Sequence, residues 1–181
     1  MKVNNKLIYG LTVILGIFVV SSAITVYNLK DIKNLSEKTA KESVPMAIVA
    51  ADTKFQTCQI QQFLTDSSLT QDLEVINEAK DAYDKFLLNM NEFEKMYKNE
   101  NDVKNLEKIK HLKEKASKLF ETGKKMVSSY AISKEEGDAL MEEVDKASIE
   151  LAALVDELKD SQINEALHSS KITFDTSTYS L

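Results

Sequence analysis

The sequence is short of the residues that turns and sheets require. One Pro and four Gly occur among its 181 residues. Because these two residues supply the backbone angles of tight turns, their scarcity favours long helices joined by short connections. A single Cys, Cys58, excludes both an internal disulfide framework and a thiolate metal cluster. The composition therefore predicts an all-helical chain without internal covalent cross-links.

Arginine is absent, so all 23 basic residues are Lys, against 29 acidic residues and a formal net charge of −6. Planar, bidentate binding of a carboxylate or phosphate by guanidinium is excluded, and the acidic balance argues against a nucleic-acid partner. His111 and His168 are too far apart in sequence to form a local metal motif, and no phosphate loop or nucleophile motif occurs. We therefore predict that the protein is not an enzyme and has no metal site or cofactor.

A long uncharged segment begins at Leu7 and ends at Asn28. About 20 apolar residues in a helix cross a hydrocarbon core of about 30 Å. The segment is longer than the apolar part of a cleaved signal peptide, which is the competing interpretation. We predict a transmembrane anchor over residues 7–28, with residues 1–6 in the cytoplasm because Lys2 and Lys6 precede the segment.

After the anchor, apolar residues recur at steps of three and four, as on the buried side of a helix. Four such stretches can be distinguished, over residues 35–69, 76–97, 103–130 and 140–163. Pro45 interrupts the first, and we expect it to bend the helix or loosen one turn. The Thr- and Ser-rich residues 170–181 show no such pattern and are predicted to form an irregular tail.

The breaks between the stretches contain residues that commonly start helices. Thr70 precedes the second stretch, Asp102 precedes the third, and Ser133 with Glu136 fits a capping box before the fourth. Short connections make successive helices antiparallel neighbours. The predicted fold is an antiparallel up-down four-helix bundle over residues 29–169, continuous with the N-terminal transmembrane helix.

The most distinctive residues are polar and lie late in the first stretch. On a helical period Gln59, Gln62 and Asp66 share one face with Phe55 and Leu69, so they interrupt a side that we expect to be buried. Buried amides and carboxylates need hydrogen-bond partners. Two interpretations stay open: a polar layer that fixes the register of packed helices, or a contact for a ligand or a second subunit. Thr65 and Phe63 are further candidates for such a contact.

The run TCQIQQFLTDSSLT, with Pro45 upstream, resembles the Gln-Gln-aromatic-Leu-Thr-Asp segment in the sensor region of methyl-accepting chemotaxis proteins. The Ala-rich helix that follows and the later Gly137-Asp138 pair also match that family in order and spacing. The resemblance extends from the anchor to about Ser169. It implies an extracytoplasmic four-helix sensor domain at the inner membrane.

The resemblance also implies partners. These are a second copy of the chain in a homodimer, and either a small-molecule ligand or a periplasmic binding protein. Members of the family continue into a second transmembrane helix, a HAMP relay and a signalling coiled coil. We expect the 181 residues to represent the sensing part only.

Two other functions fit the same pattern. The module could serve a histidine kinase or cyclase receptor, or it could be a membrane-tethered helical scaffold without a ligand. Cys58 likewise has two interpretations, either a small core residue or the site of a disulfide between subunits.

Overall fold

The computed structural model describes residues 3–179, and their side chains except those of residues 3–7, 73, 176, 178 and 179. These residues form five α-helices and one π-helical turn, and they include no strand. The elements are α1 (Val3–Lys38), a π-turn (Thr39–Ser43), α2 (Val44–Thr70), α3 (Leu73–Glu100), α4 (Val103–Tyr130) and α5 (Lys134–Tyr179). The all-helical prediction is confirmed.

The chain divides into two compact units. One is Pro45–Ile163, and the other takes in the chain up to Val44 and from Asn164 onward. The predicted sensor domain over residues 29–169 is therefore longer at both ends than the unit that the contacts define. The four helical segments of Pro45–Ile163 come from α2, α3, α4 and the first part of α5.

The apolar side chains of α1 are exposed from Ile8 to Leu29. Among the described residues, one helical span, beginning at Ile8, is long and apolar enough to cross a membrane. The hydroxyls of Thr12 and Thr25 donate to carbonyl oxygens four residues earlier, at 2.9 and 3.0 Å. These internal bonds remove the cost of placing a hydroxyl in hydrocarbon.

A π-turn, in which hydrogen bonds span five residues, precedes the only proline of the sequence. The N–H of Val44 donates to the carbonyl of Thr39. Pro45 has no N–H to donate, so the α-helical pattern cannot continue unchanged through this point. The expected loosening of one turn near Pro45 is confirmed. Ser43, in the π-turn, is buried, and its Oγ has no hydrogen-bond partner among the described residues.

Two of the three predicted helix starts are confirmed. The Asp102 carboxylate accepts from the N–H of Asn105 at 3.0 Å, and the Ser133 hydroxyl accepts from the N–H of Glu136 at 3.4 Å. Each of these bonds satisfies an N–H that has no partner within its helix.

The predicted start at Thr70 is wrong by two residues. Thr70 is the last residue of α2, and Asp72 caps α3 by accepting from the N–H of Glu74 at 2.8 Å. Between them Gln71 has a φ of 57°, as does Asn101 before α4. The left-handed conformation ends a helix sharply, so each connection takes only two residues.

The core of Pro45–Ile163 is built from fully buried side chains on all four helical segments. The largest are Phe86, Phe93, Ile60, Leu64, Met90, Ile109, Leu119, Met126 and Leu151. Tyr83 of α3 stacks on Phe120 of α4, with ring centroids 4.8 Å apart and an interplanar angle of 3°. Such a pair stabilises by about 0.5–1.5 kcal/mol beyond the area it buries.

An ion-pair cluster joins α3 to α4 near the other end of this hairpin. Both Lys113 and Lys98 lie 2.5 Å from a carboxylate oxygen of Glu94. Hydrogen bonds from Lys113 and then Lys98 lower the pKa of Glu94 to about 2. The stabilisation is therefore present above pH 4.5, the ordinary pKa of Glu, and is lost as the pH falls towards 2.

The prediction of an irregular tail is wrong for residues 170–179, because α5 continues to Tyr179. The hydroxyl of Thr173 donates to the carbonyl of Ser169 at 2.9 Å, and that of Ser177 donates to the carbonyl of Phe174 at 2.7 Å. A Ser or Thr hydroxyl that bonds to its own helix satisfies its donor locally, so a helix can form here without an apolar stripe. Residues 180–181, also assigned to the tail, lie outside the described residues.

Gly123 gives a test of core packing. A Cβ on Gly123 would lie within 2.9 Å of Leu64 Cγ and Cδ2, and closer still to Cδ1. Ala is favoured over Gly in a helix by about 1 kcal/mol, but overpacking costs about 1–3 kcal/mol. Because Leu64 is fully buried, we expect Gly123→Ala to destabilise the chain by up to about 2 kcal/mol in urea unfolding followed by circular dichroism.

The control is a chain that already carries Leu64→Ala, in which the shortened side chain leaves room for the added methyl group. There the Gly123→Ala change should be neutral or stabilising. A more stable Gly123→Ala chain with Leu64 intact would contradict this account of the contact.

Candidate functional site

The buried side of α2 is mostly polar. It consists of Ala50, Thr53, Gln56, Thr57, Ile60, Leu64, Ser67 and Ser68. The hydroxyls of Thr53, Thr57 and Ser68 each donate to the carbonyl four residues earlier, at 2.8–2.9 Å. With their donors satisfied within the helix, these small groups can face the core at little cost.

The opposite side of α2 is exposed, although it carries the large apolar residues Ile48, Phe55 and Leu69. We call it the α2 ribbon: Ile48, Ala51, Phe55, Cys58, Gln62, Asp66 and Leu69. Exposed fractions are 64% for Ile48, 58% for Phe55 and 69% for Leu69. The three- and four-residue spacing keeps all seven on one side of the helix. Five of the seven residues are apolar, and Gln62 and Asp66 interrupt them between Cys58 and Leu69.

The structure places the predicted contact residues on or beside the α2 ribbon. Gln62 and Asp66 are exposed, while Gln59, Phe63 and Thr65 are half-buried. The Gln59 Nε2 donates to the Gln62 Oε1 at 3.2 Å. The expectation that Gln59, Gln62 and Asp66 interrupt a buried side is wrong for the single chain. The hydroxyl-rich side of α2 is the one turned inward.

Cys58 lies in the middle of the α2 ribbon and is exposed. Its interpretation as a small core residue is therefore wrong. The other interpretation, a disulfide between subunits, stays a prediction. Its neighbours along the ribbon, Phe55 and Gln62, are also exposed.

Gln61, in the Gln-rich run, links α2 to α5 and was not predicted from the sequence. The Ser148 hydroxyl of α5 donates to Gln61 Oε1 at 2.5 Å, and Gln61 Nε2 donates to Asp145 at 3.2 Å. Gln61 thus provides the hydrogen-bond acceptor for the Ser148 hydroxyl, and Ser148 is only 3% exposed. No pattern in the sequence separates Gln61 from Gln59 or Gln62, because the buried side of α2 is not apolar.

An ion pair two helical turns before Gln61 also joins α2 to α5. Lys54 Nζ lies 2.6 Å from Asp156 Oδ1, and Lys159 lies 2.9 Å from the same oxygen. Hydrogen bonds from Lys54 and then Lys159 lower the pKa of Asp156. The pair is partly exposed, so water screens it and its contribution to stability is modest.

A shallow groove of about 220 Å³ separates α2 from α3 beside the ribbon. It is lined by Phe55, Gln56, Gln59, Phe63, Glu78, Asp81, Ala82 and Lys85. Two of these residues, Gln59 and Phe63, are predicted contact residues. On the α3 side, Glu78 and Asp81 contribute carboxylates and Lys85 contributes an ammonium group. The groove can offer aromatic, amide and carboxylate contacts, which suit a cationic or hydroxylated ligand better than a dicarboxylate.

Comparison with protein-family models, curated proteins and solved structures found no significant match. Among the described residues no group of three or more His, Cys, Asp or Glu side chains is arranged to hold a metal ion. The interpretation of the site consequently depends on the geometry of α2 and its neighbours.

Adjacent glutamines provide a matched pair of variants. We expect Gln61→Ala to destabilise the chain by about 1–3 kcal/mol, because it leaves the buried Ser148 hydroxyl without its partner. The exposed Gln62→Ala should change stability by less than about 0.5 kcal/mol. Urea unfolding of the two variants measures the difference.

Adding Ser148→Ala to the Gln61→Ala chain removes the orphaned hydroxyl and should recover part of the loss. Equal effects of Gln61→Ala and Gln62→Ala would contradict the assignment of the buried side of α2.

Proposed function

We propose that the chain is the extracytoplasmic ligand-sensing region of a bacterial chemoreceptor of the methyl-accepting chemotaxis type, acting as a homodimer. The observation that carries the proposal is the α2 ribbon, an exposed apolar strip with Gln62 and Asp66 within it. The resemblance of the same segment to chemoreceptor sensor regions supports the assignment. An output through a histidine kinase or a cyclase would use the same sensing module.

The polar contacts within Pro45–Ile163 support an antiparallel up-down bundle. Lys54 of α2 pairs with Asp156 of α5. Seven residues later, Gln61 meets Ser148, which precedes Asp156 by eight residues. Partners that shift in opposite directions along two helices indicate that the helices run antiparallel.

The hairpin of α3 and α4 shows the same relation. Glu94 of α3 pairs with Lys113 of α4. Tyr83 lies eleven residues before Glu94, and it stacks on Phe120, which lies seven residues after Lys113. Connections of two residues on either side of α3 also favour reversal of direction between neighbours.

In this proposal α1 crosses the inner membrane and continues through the π-turn into α2. The apolar side chains from Ile8 to Leu29, which are exposed in the isolated chain, would then contact lipid. Lys2 and Lys6 favour a cytoplasmic N-terminus, which puts the bundle in the periplasm or outside the cell.

The α2 ribbon supplies the proposed dimer contact. Phe55, Cys58 and Leu69 would be covered by the same residues of a second copy, as in a two-fold interface. Gln62 and Asp66, polar groups in an otherwise apolar strip, would fix the register of the two helices. Ligand binding in the adjoining groove would then alter the balance between two arrangements, provided its affinity for them differs.

Cys58, the only cysteine, tests the dimer directly. With the full chain in lipid nanodiscs, oxidation with copper phenanthroline should give a disulfide-linked dimer on non-reducing gels. The proposed interface would place Cys58 near the two-fold axis, where two thiols can approach each other within the range of a disulfide.

The control places the thiol elsewhere: Ser117→Cys in a Cys58→Ser chain. Ser117 is exposed on α4, away from the ribbon, so cross-linking should be at least tenfold slower than at Cys58. Equal rates for the two chains would reveal random collision and reject the proposed interface.

A ligand screen separates a sensor from a scaffold. We expect thermal unfolding of the full chain to shift upward with a cationic or polyhydroxylated compound, and not with aspartate or malate. Stabilisation follows RT ln(1 + [L]/Kd), so it saturates logarithmically and identifies binding to the folded state. Glu78→Gln and Asp81→Asn, both at exposed positions that line the groove, should abolish the shift without changing the unfolding temperature of the ligand-free chain.

A chain that no compound stabilises would be a scaffold. Tight, saturable binding of malate that is lost on mutating Gln59, which lines the groove, would show that the ligand class proposed for this groove is wrong.

A further inference from the structure

Ser43, in the π-turn, carries a hydroxyl group that is buried and unsatisfied. The residue is 2% exposed. Among the side chains that the structure describes, its Oγ is the one buried nitrogen or oxygen atom without a hydrogen-bond partner. Such a group costs free energy, because it has lost its hydrogen bonds to water and has gained none in the protein. The π-turn therefore holds Ser43 in an unfavourable state.

The spacing of the π-turn explains why Ser43 is left without a partner. The hydroxyl of Thr39 donates to the carbonyl of Leu35, four residues earlier, at 2.9 Å. The carbonyl four residues before Ser43 belongs to Thr39, and it accepts from the N–H of Val44, five residues later. In an ordinary α-helical turn the Ser43 hydroxyl would lie within reach of that carbonyl and would donate to it.

Pro45 opposes the α-helical form of the same turn. In an α-helix a proline ring is crowded against the carbonyl oxygen four residues earlier, which here belongs to Lys41, and it offers that oxygen no N–H. The π-turn contains one additional residue, which relieves the crowding. Each form thus has one defect: an unsatisfied Ser43 hydroxyl in the π-turn, and a crowded Lys41 carbonyl in the α-helix. Because the defects offset each other, neither form is strongly favoured.

We infer that the π-turn is a register switch, which interconverts with an ordinary α-helical turn in which Ser43 donates to the Thr39 carbonyl. Each residue of an α-helix advances the chain by about 100° around the helix axis. Absorbing the additional residue of the π-turn therefore turns the chain before it by about that angle relative to the chain after it. The exchange forms one hydrogen bond, at Ser43, and restores one unfavourable contact, at Pro45.

The switch has a consequence for signalling that rests on the proposed function. In the proposed receptor it would couple the rotation of the membrane-spanning α1 to that of the α2 ribbon. A contact that favours one orientation of the ribbon would then favour one form of the π-turn. The exchange itself does not depend on the proposed function, because it follows from the local chemistry of Thr39, Ser43 and Pro45.

Double electron–electron resonance between two nitroxide labels tests the inference. One label is attached to the native Cys58 and the other to Asn34→Cys, at exposed positions after and before the π-turn. The full chain is studied in lipid nanodiscs and is diluted with an excess of unlabelled Cys58→Ser chain, so that the measured distances lie within one chain. Because the switch turns position 34 about the helix axis relative to position 58, we expect two distances.

Two substitutions in the labelled chain should change the populations in opposite directions. Ser43→Ala removes the hydrogen bond that the α-helical form gains, so it should lower the population of that form about threefold relative to the π-turn. Pro45→Ala removes the crowded ring, so it should raise the same relative population about tenfold. The Ser43 hydroxyl has no partner in the structure and Pro45 has no N–H, so neither substitution removes a hydrogen bond on which folding depends.

The control is Ser36→Ala, which removes an exposed hydroxyl of α1 outside the π-turn and should leave the ratio of the two distances unchanged. A single distance in the unsubstituted labelled chain would overturn the inference, even if a second distance appeared in Pro45→Ala, because the natural chain would then hold one register. Two distances whose ratio shifts in the same direction, or not at all, in Ser43→Ala and Pro45→Ala would overturn it as well.

Failure of this test leaves the cross-linking at Cys58 and the ligand screen unaffected, since neither requires the π-turn to change its form. Conversely, two registers can be present in a chain that neither cross-links nor binds a ligand. The inference and the proposed function therefore fail independently.

Discussion

The arrangement of the bundle depends on how α2 satisfies its own buried hydroxyl groups. Thr53, Thr57 and Ser68 each donate to a carbonyl one turn earlier. A hydroxyl that is already bonded within its helix can be buried almost as cheaply as a small apolar group. As a result α2 turns a mostly polar side inward, on which Ile60 and Leu64 are the large apolar residues, and leaves other large apolar residues exposed. The α2 ribbon, and any interface that uses it, follows from those local hydrogen bonds.

Two parts of the bundle surface differ in position and in chemistry. The α2 ribbon and its groove combine apolar residues with uncharged amides and carboxylates, which suits contact with another helix and with a cationic or hydroxylated ligand. A separate cleft between α4 and α5 is apolar at its base, where Ile109 and Leu112 are buried, and has Lys108 and Glu157 at its mouth.

Much of the helical framework can be predicted from the sequence, because local chemistry determines it. Asp102 and Ser133 are recognisable as helix starts, and Pro45 as a point where the α-helical pattern must change. The orientation of α2 cannot be predicted by the same means. A search for apolar stripes assigns Phe55 and Leu69 to the core, since it treats Thr and Ser as outward-facing residues.

The same physics explains the misassigned tail, where Thr173 and Ser177 also bond to their own helix. The sequence indicates which segment contains the candidate site. It does not distinguish Gln61, which bonds to α5, from the neighbouring glutamines. The cleft between α4 and α5 has no sequence signal, because the residues that line it come from three separate helices.

The contact between Leu64 and Gly123 has a consequence for how such a sequence can diverge. Positions such as Thr53 and Ser68 present little more than a methyl group to their neighbours, so Ala, Ser, Thr and Val should exchange there with little effect on the fold. Position 123 has no such freedom while Leu occupies position 64. Among descendants of this chain, a larger residue at 123 should therefore arise together with a smaller one at 64. Co-variation of these two positions would preserve the bundle after most other traces of common ancestry have been lost.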